Sequence, residues 1–383
     1  SFRFSRPCSA CNMRFFPSKE KINSYRSEIC NEKSKALAKK CIDIFKKHRV
    51  YGANFALFDG ENIKFSFSYG YSKQNALVSS ATLFRIASIS KLFMGSCIMK
   101  LFEQKIIDID ENISDLFPSM DSRVEFLSFR KLLTHTSPIK DGDSYNKYIG
   151  TGISLSELLK FGDNYKDFSK KTAFEYSNLG YGMAAVALEQ KLNMGFEDIM
   201  QEHLFKPLSI KASFYPQTLS GDIASAFRVF PRNKISMNIN ERLNKNFDDI
   251  HDIAFEKHYS LSPGNCYTDI YGAKTLANAL MHEGFLSKDS LNEMKRIEAD
   301  FDERDKRLFE GVGIFVVDLL GNNEFFYGHQ GLAYNAVHGL YFDDKYNDGM
   351  VFLSSGASEK RKGVLADVNI DLIELWRDRA LWK

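Results

Sequence analysis

The stretch Leu83–Gln104, LFRIASISKLFMGSCIMKLFEQ, places a serine three residues ahead of a lysine at the mouth of an apolar run. Residues three apart share one face of a helix, so Ser88 and Lys91 come side by side. The run from Lys91 to Gln104 is apolar nearly all round at first, which predicts a helix buried on most sides. A serine at such a helix start meets partial positive charge, which favours a developing anion. Burial would also lower the pKa of Lys91. Ser-x-x-Lys alone decides little, because it recurs at Ser18/Lys21, Ser128/Lys131, Ser137/Lys140 and Ser144/Lys147. Those four lie in polar or irregular stretches, or lead into no such helix. Without its setting, Ser88 reads as a helix N-cap and Lys91 as a snorkelling side chain.

Two further motifs carry chemistry. Tyr176-Ser177-Asn178 is the single Tyr-x-Asn among 17 tyrosines and stands just before a helix expected from Gly180. A phenol has a reference pKa of ~10, and a lysine ammonium beside it favours the phenolate. Tyr176 is then a candidate base, and Asn178 a group that orients Lys91 or binds a substrate amide. The bland reading is a buried tyrosine at a helix start. His329-Gln330-Gly331 closes an extended run, Glu324–His329. Glycine lets backbone approach a ligand closely, and the Leu332 amide with that of Ser88 could form an oxyanion hole. A histidine on a strand edge is, taken alone, more often structural.

The rest of the chain sets the frame. Its 383 residues are 44% hydrophobic and 26% charged, an ordinary globular balance that excludes a disordered or fibrous chain. No run approaches the ~18 apolar residues of a membrane span, and no signal peptide is visible. The chain opens with Ser1, so a segment ahead of it is conceivable. The net charge of +2 argues against nucleic acid, while residues 1–50 hold 13 Lys/Arg against 4 Asp/Glu. Such a leader could touch an anionic surface, or be a solvated helix face. Cys8 and Cys11 form one C-x-x-C, with Cys30 and Cys41 a loose second pair. That is weak spacing for zinc, and disulfide or free thiols are the expectation. Cys97 and Cys266 read as small buried hydrophobes.

Periodicity predicts a helix over 33–48, a hairpin of Gly52–Phe58 and Asn62–Tyr71 turning at Asp59-Gly60, and helices through the middle of the chain. These middle helices are placed at Ser128–Leu133, Ser154–Phe161, Gly180–Lys191, Phe196–Leu204 and Asp269–His282. Strands follow at Gly311–Val317, Glu324–His329, Ala333–Phe342 and Met350–Ser354, and then a helix over Val364–Trp382. Residues 217–258 are polar and irregular and receive no assignment. The order suggests an α/β (α+β) unit built from both chain ends, 33–85 and 270–383, around an inserted helical unit, 86–269. Residues 1–32 read as a basic N-terminal extension.

In their order, Ser88-x-x-Lys91, Tyr176-Ser177-Asn178 and His329-x-Gly331 resemble the serine β-lactamase-like hydrolases, a group of DD-peptidases, class C β-lactamases and related esterases. LFRIASISK resembles that family's nucleophile segment, and KLLTHTSPI (Lys131–Ile139) its Leu-Leu-Thr-His-Thr-Ser segment. FEYSNLGYGMAAVALEQ (Phe174–Gln190) resembles its tyrosine segment, with HLFKPLSI (His203–Ile210) just after. SPGNCYTDI (Ser262–Ile270) resembles its Gly-rich turn. The resemblance runs from about Asn54 to the C-terminus.

The resemblance implies an antiparallel β-sheet flanked by helices, with a helical domain beside it and a cleft between. It implies acylation of Ser88, base duty shared by Lys91 and Tyr176, and an oxyanion held by the amides of Ser88 and Leu332. Substrate contacts fall to Asn178, His329, Gly331 and Leu332. It implies no cofactor and no metal. His135, placed between helices, is taken as structural. Where many members carry Lys-Thr-Gly, this chain has His329-Gln330-Gly331, which removes a fixed cation and a hydroxyl suited to a substrate carboxylate. Leu332 is bulkier than the usual residue and is expected to narrow the site. Efficient β-lactam hydrolysis is therefore disfavoured. The expectation is a small-molecule or peptide substrate, first a D-amino-acid peptide as in a DD-peptidase or carboxypeptidase. An acyl ester, a β-lactam or a weakly catalytic penicillin-binding sensor are the alternatives. The family implies an extracytoplasmic location, and the oligomeric state stays open.

Overall fold

The computed structural model describes residues 22–169, 174–230, 234–237, 257–301 and 304–383. Cys8 and Cys11 lie outside them, as do most of the basic leader and much of 217–258. The elements used below are strand β1 (Ile22–Ser27), helix α1 (Asn31–Lys47), β2 (Gly52–Asp59), β3 (Asn62–Lys73), α2 (Ser90–Glu103), α3 (Asn178–Leu192) and α4 (Ile270–Met281). Then come β4 (Ala299–Asp300), β5 (Leu308–Glu310), β6 (Phe315–Val317), β7 (Phe326–Ala333), β8 (Ala336–Asp343), β9 (Asp348–Gly356) and α5 (Asp367–Arg377).

Among the described residues, a ten-stranded antiparallel sheet runs β1-β3-β2-β9-β8-β7-β6-β5-β4, with Ala76–Leu77 paired beside β3. Strands near both chain ends meet at its centre, where β2 pairs with β9 from Gly52↔Gly356 to Asp59↔Asp348. One core packs the sheet against α1 and α5 through Leu37, Phe45, Phe67, Phe352 and Trp376. A second core holds Leu92, Leu179, Leu276 and Leu340 together with the helices of the middle of the chain. Apolar residues at helical spacing on α1 (Leu37, Ala38, Cys41, Phe45) place that helix on the sheet. The fold is the antiparallel sheet flanked by helices that the family resemblance implies. Cys97 and Cys266 are fully buried, and Cys30 and Cys41 are free thiols.

Several boundaries differ from expectation. Residues 22–27, read as part of the extension, form the edge strand β1, with Tyr25 opposite Phe67. Its polar side chains hide it from periodicity, because an edge strand joins a sheet through backbone hydrogen bonds. The Asn23 amide fastens it by donating to Gly70 O at 2.7 Å and Val78 O at 3.0 Å. Gly311–Val317, expected as one strand, is split by a tight turn in which Glu310 pairs with Phe315. Gly313 makes the turn with φ +71°, and a Cβ there would lie 3.0 Å from Gly95 Cα and 3.2 Å from Lys91 O. The strand expected to end at His329 continues to Ala333. It then turns through Tyr334 (φ 55°) and Asn335 (φ 65°), a type I′ pair that joins β7 to β8. The last helix is shorter than predicted. After Asp378 the chain bends into a single 3₁₀ turn, where Arg379 reaches the carboxylates of Asp343 and Asp348.

Candidate active site

Ser88 sits in the 3₁₀ turn Ala87–Ile89, one step before α2 rather than within it. The short strand Phe84–Arg85 pairs with Tyr267–Thr268 and delivers the chain to this turn. Ala87 has φ 47°, a left-handed conformation that a Cβ disfavours. Such strain persists only where the surroundings hold it, and here β7 does so. A Cβ on Gly331 would stand 2.3 Å from Ile86 O and 3.2 Å from Ala87 Cβ, so only glycine lets the strand approach this closely.

Lys91 is fully buried on the first turn of α2. Its Nζ donates to Ser88 Oγ at 3.1 Å, Asn178 Oδ1 at 2.8 Å and Pro263 O at 2.8 Å. It also lies 4.9 Å from the centre of the Tyr176 ring and 5.4 Å from that of Tyr181. Burial lowers its pKa to about 7, further depressed by Arg85 and opposed by Asp141 and Glu310. An appreciable share of neutral amine at pH 7 then faces the serine hydroxyl, and such an amine can accept its proton.

Tyr176 is partly buried, and Ser88 is near enough to influence its phenol. Its pKa moves opposite to the sequence expectation. Burial raises it, as do Glu310 and Asp141, and this outweighs the influence of Ser88 that lowers it. Tyr176 is therefore a neutral phenol at pH 7, able to relay a proton between neighbours but not a resident phenolate. Its ring lies 4.3 Å from that of His135, whose Nδ1 accepts from the Ser177 amide at 3.0 Å. His135 thus fixes the backbone of the Tyr-x-Asn segment, and burial holds its pKa well down.

Asn178 opens α3, with Ser177 as its N-cap. Asp141, which sequence reasoning missed, fixes both. Its carboxylate accepts from the Ser177 hydroxyl (3.0 Å), the Asn178 amide nitrogens of backbone (2.9 Å) and side chain (2.8 Å), and Leu179 N (2.8 Å). No periodicity or spacing marks Asp141. Its one signal is its place two residues beyond the Lys131–Ile139 segment.

The third element divides between two faces. Gln330 points away from Ser88: its side chain donates to Val364 O at 2.6 Å and accepts from Ala366 N at 3.0 Å, ahead of α5. Strand alternation puts Leu332 on that same face, so its side chain does not narrow the site as expected. Its backbone follows Gly331 past the serine turn. His329 is buried, stacked 3.9 Å over Phe315, with Nδ1 bonded to Gln330 O at 2.6 Å. Burial and nearby Lys91 lower its pKa to about 3, so it is neutral and presents no cation to a ligand. The structure thus brings Ser88, Lys91, Tyr176 and Asn178 together, sets Gly331 against the serine turn, and withdraws His329 into packing.

Residues 35–374 match the family described as Beta-lactamase. Among curated relatives, Beta-lactamase-like protein 4 of Dictyostelium discoideum is 29% identical over 171 residues, 38% of this chain and 30% of that protein. Penicillin-binding protein 4* of Bacillus subtilis is 26% identical over 171 residues, 42% of this chain and 37% of that protein. The chain therefore spans about a third of the length of these relatives. Among solved structures, a D-amino acid amidase from Ochrobactrum anthropi complexed with L-phenylalanine superposes with a TM-score of 0.71 at 19% identity, over 91% of this chain and 100% of that one. EstCE1, a hydrolase with promiscuous acyltransferase activity, superposes with a TM-score of 0.70 at 18% identity, over 90% and 99%. Shared fold at that identity and a family match over nearly the whole chain lead to one conclusion: this chain belongs to the beta-lactamase family.

Proposed function

We propose that the protein is a serine hydrolase that forms an acyl-enzyme on Ser88 and acts on amides or peptides of small D-amino acids. The observation that carries this reading is Lys91: fully buried, depressed to about 7, and donating at once to Ser88 Oγ and Asn178 Oδ1. A lysine is rarely placed this deep without partners, and a pure binding pocket has no use for a near-neutral amine against a hydroxyl. In this reading Lys91 takes the Ser88 proton as the hydroxyl attacks the carbonyl carbon. Tyr176, as neutral phenol, passes that proton to the departing amine. The amides of Ser88 and Leu332 receive the oxyanion, and water later releases the acyl group.

The neutral, stacked His329 supports an amide or ester substrate over one with a free carboxylate beside the scissile bond. The likeness to a D-amino acid amidase, whose structure includes a complex with L-phenylalanine amide, favours the amide. An esterase is the second reading, supported by the same missing cation and by the likeness to EstCE1. An extracytoplasmic location belongs to the proposal as well; no described helix is long and apolar enough to cross a membrane.

The test is covalent labelling with a fluorophosphonate and a fluorescent penicillin, on the parent and on Ser88→Ala. The parent should take the phosphonate and the variant should not. A variant that labels as well as the parent would overturn the assignment. A panel of D-amino-acid amides, D-Ala-D-Ala peptides, p-nitrophenyl esters and nitrocefin then ranks substrates, with the amides expected first.

A further inference from the structure

The turn Ser262–Cys266 takes no chemical part in the reaction above, yet it supplies one of the three partners of Lys91. Nζ donates to Ser88 Oγ at 3.1 Å and, more closely, to Asn178 Oδ1 and Pro263 O, both at 2.8 Å. The last two are amide oxygens, which accept and cannot donate. An uncharged amine keeps two N–H bonds and one lone pair. With both N–H bonds committed to amide oxygens, the lone pair faces the partner that has a proton to give, the Ser88 hydroxyl. The direction of proton transfer therefore depends on two oxygens staying in place. Asp141 holds that of Asn178.

The carbonyl of Pro263 needs a restraint of its own. The proline ring fixes its φ, but the plane of the Pro263–Gly264 peptide also turns with the φ of Gly264, the residue type that resists rotation least. Anchors stand on both sides. Upstream, the hydroxyl of the fully buried Ser262 donates to Tyr181 O in α3 at 2.9 Å. Downstream, the fully buried Asn265 uses both ends of its amide: Oδ1 accepts from Arg85 Nε at 3.1 Å, and Nδ2 donates to Phe214 O at 2.7 Å. Its backbone N–H closes the turn on Leu261 O at 2.9 Å. The Cys266 amide then donates to Ser90 Oγ at 3.0 Å, next to Lys91 on the first turn of α2. A Cβ on Gly264 would lie 3.4 Å from Arg85 Nη2 and 3.6 Å from Ala87 C, so this turn runs along the serine turn itself. A buried asparagine is costly unless its bonds are made. Here those bonds tie the strand before Ser88 to the segment whose carbonyl receives Lys91.

We propose that Ser262 and Asn265 are positioning residues, which clamp the Pro263 carbonyl from either side and thereby aim the lone pair of Lys91 at Ser88. In the transfer, the Ser88 O–H bond breaks and its electron pair forms the bond from Oγ to the substrate carbonyl carbon. The Lys91 lone pair takes the proton as a third N–H bond, and the carbonyl π pair moves onto the oxyanion. This inference rests on the proposed role of Lys91 as base. It carries a sign. An ammonium that loses an acceptor gives up its proton more readily, so opening the clamp lowers the Lys91 midpoint. Mere loosening of the packing would admit water and raise the midpoint towards the ordinary lysine value. The charged and titratable groups that face Lys91 are Asp141, Glu310, Arg85, Tyr176, Tyr181, His135 and His329. Truncating Ser262 or Asn265 removes none of them, and Arg85 keeps its charge throughout.

The experiment follows two NMR signals in the unmutated protein, Ser262→Ala and Asn265→Ala. Pro263-Gly264 is the single Pro-Gly among eight prolines, so ¹³C-carbonyl proline combined with ¹⁵N glycine selects that one peptide. Lysine labelled with ¹³C at the ε position reports Lys91, identified by the loss of its signal in Lys91→Arg. In the unmutated protein both signals should step together near pH 7. In each variant the Lys91 midpoint should fall by about half a unit to one unit. Fluorophosphonate labelling of Ser88, read on its high-pH plateau, should slow by about tenfold. A Pro263 carbonyl that does not move with Lys91 in the unmutated protein overturns the proposal whether or not a variant folds. So does a Lys91 midpoint that stays or rises in either folded variant. Absence of Ser88 label in the unmutated protein defeats the hydrolase reading alone, since neither titration depends on it.

Discussion

The side-chain amide of Asn178 donates to Asp141 Oδ2 at 2.8 Å, and this turns its oxygen toward Lys91 Nζ, also at 2.8 Å. Asparagine alone could face either way. The carboxylate removes the choice, so Lys91 meets an acceptor and not a second donor. Asp141→Ala should lower kcat/KM by tenfold or more through loss of this orientation. It should also cost about 1 kcal/mol of stability from the lost helix-start bonds. Asp141→Asn, which keeps the shape but not the charge, should lower the pKa of Lys91 further, because the carboxylate raises it. Kinetics with thermal melts check this, and an unchanged kcat/KM in Asp141→Ala would refute it.

The pH dependence of acylation follows from Lys91. In the proposed reaction the neutral amine of Lys91 is the base, so the rate should rise with pH through about 7. Stability carries the same sign. The folded pKa lies below the unfolded ~10.4, so between about 7 and 10 the unfolded chain binds the extra proton. Stability then climbs with pH across that window. Denaturant melts from pH 6 to 9 should show a positive slope that Lys91→Met removes.

Acid should unfold the protein through its buried histidines. His329 and His338 are held near 3, chiefly by burial, so the unfolded chain binds more protons between about 3 and 6.5. Stability is complete above that window and falls on acidification through it. His338 accepts at Nδ1 from Ser354 N at 3.2 Å, between the central strands β8 and β9. His338→Gln should flatten the acid limb by about one proton, read from melting midpoints at pH 4 to 7. An unchanged slope would assign the acid limb elsewhere.

Gly331→Ala should damage function before it damages the fold. The new methyl meets a backbone carbonyl, Ile86 O, at 2.3 Å, and must push β7 away from the turn that holds Ser88. A loss of about 100-fold in kcat/KM is expected, since small misplacements at a reacting centre are costly. Circular dichroism should stay near that of the parent. A fully active variant would mean that β7 does not position the serine.

Arg379→Ala should destabilise the C-terminus by about 2–3 kcal/mol, because it strands buried carboxylates. Arg379 bonds Asp348 at 2.7 and 3.0 Å and Asp343 at 3.1 Å, while Trp376 Nε1 shares Asp348 at 2.9 Å. Lys383 and Arg377 retain part of the charge balance, which limits the loss. Urea melts measure it, and a change under 0.5 kcal/mol would make the cluster decorative.

Elements with a strong pattern were legible in the sequence. The apolar run of α2, the stripe on α1, the Asp59-Gly60 hairpin and the three motifs at Ser88, Tyr176 and His329 all register as spacing. What escaped depends on distance in space. Strand β1 carries too few apolar side chains to show alternation, and its bonds run through backbone. The Gly311–Ile314 turn reads as apolar strand, because only its contact with α2 reveals why two glycines stand there. Asp141 and Glu310 lie far along the chain from the serine, and a lone carboxyl carries no signature. The direction of Tyr176 was misread for a related reason. Sequence names its cationic neighbour but not how little water surrounds the phenol.

The meeting of Gly95 and Gly313 brings a helix backbone and a strand turn into close approach beside the backbone carbonyl of Lys91. No side chain can be added at that contact, and none can be trimmed from it. Redesign of this protein must therefore leave that contact alone and turn to exposed positions such as Tyr334, which is half-exposed with Arg85 over its ring. A side chain at either glycine would force the two backbones apart, so the contact tolerates no substitution without movement.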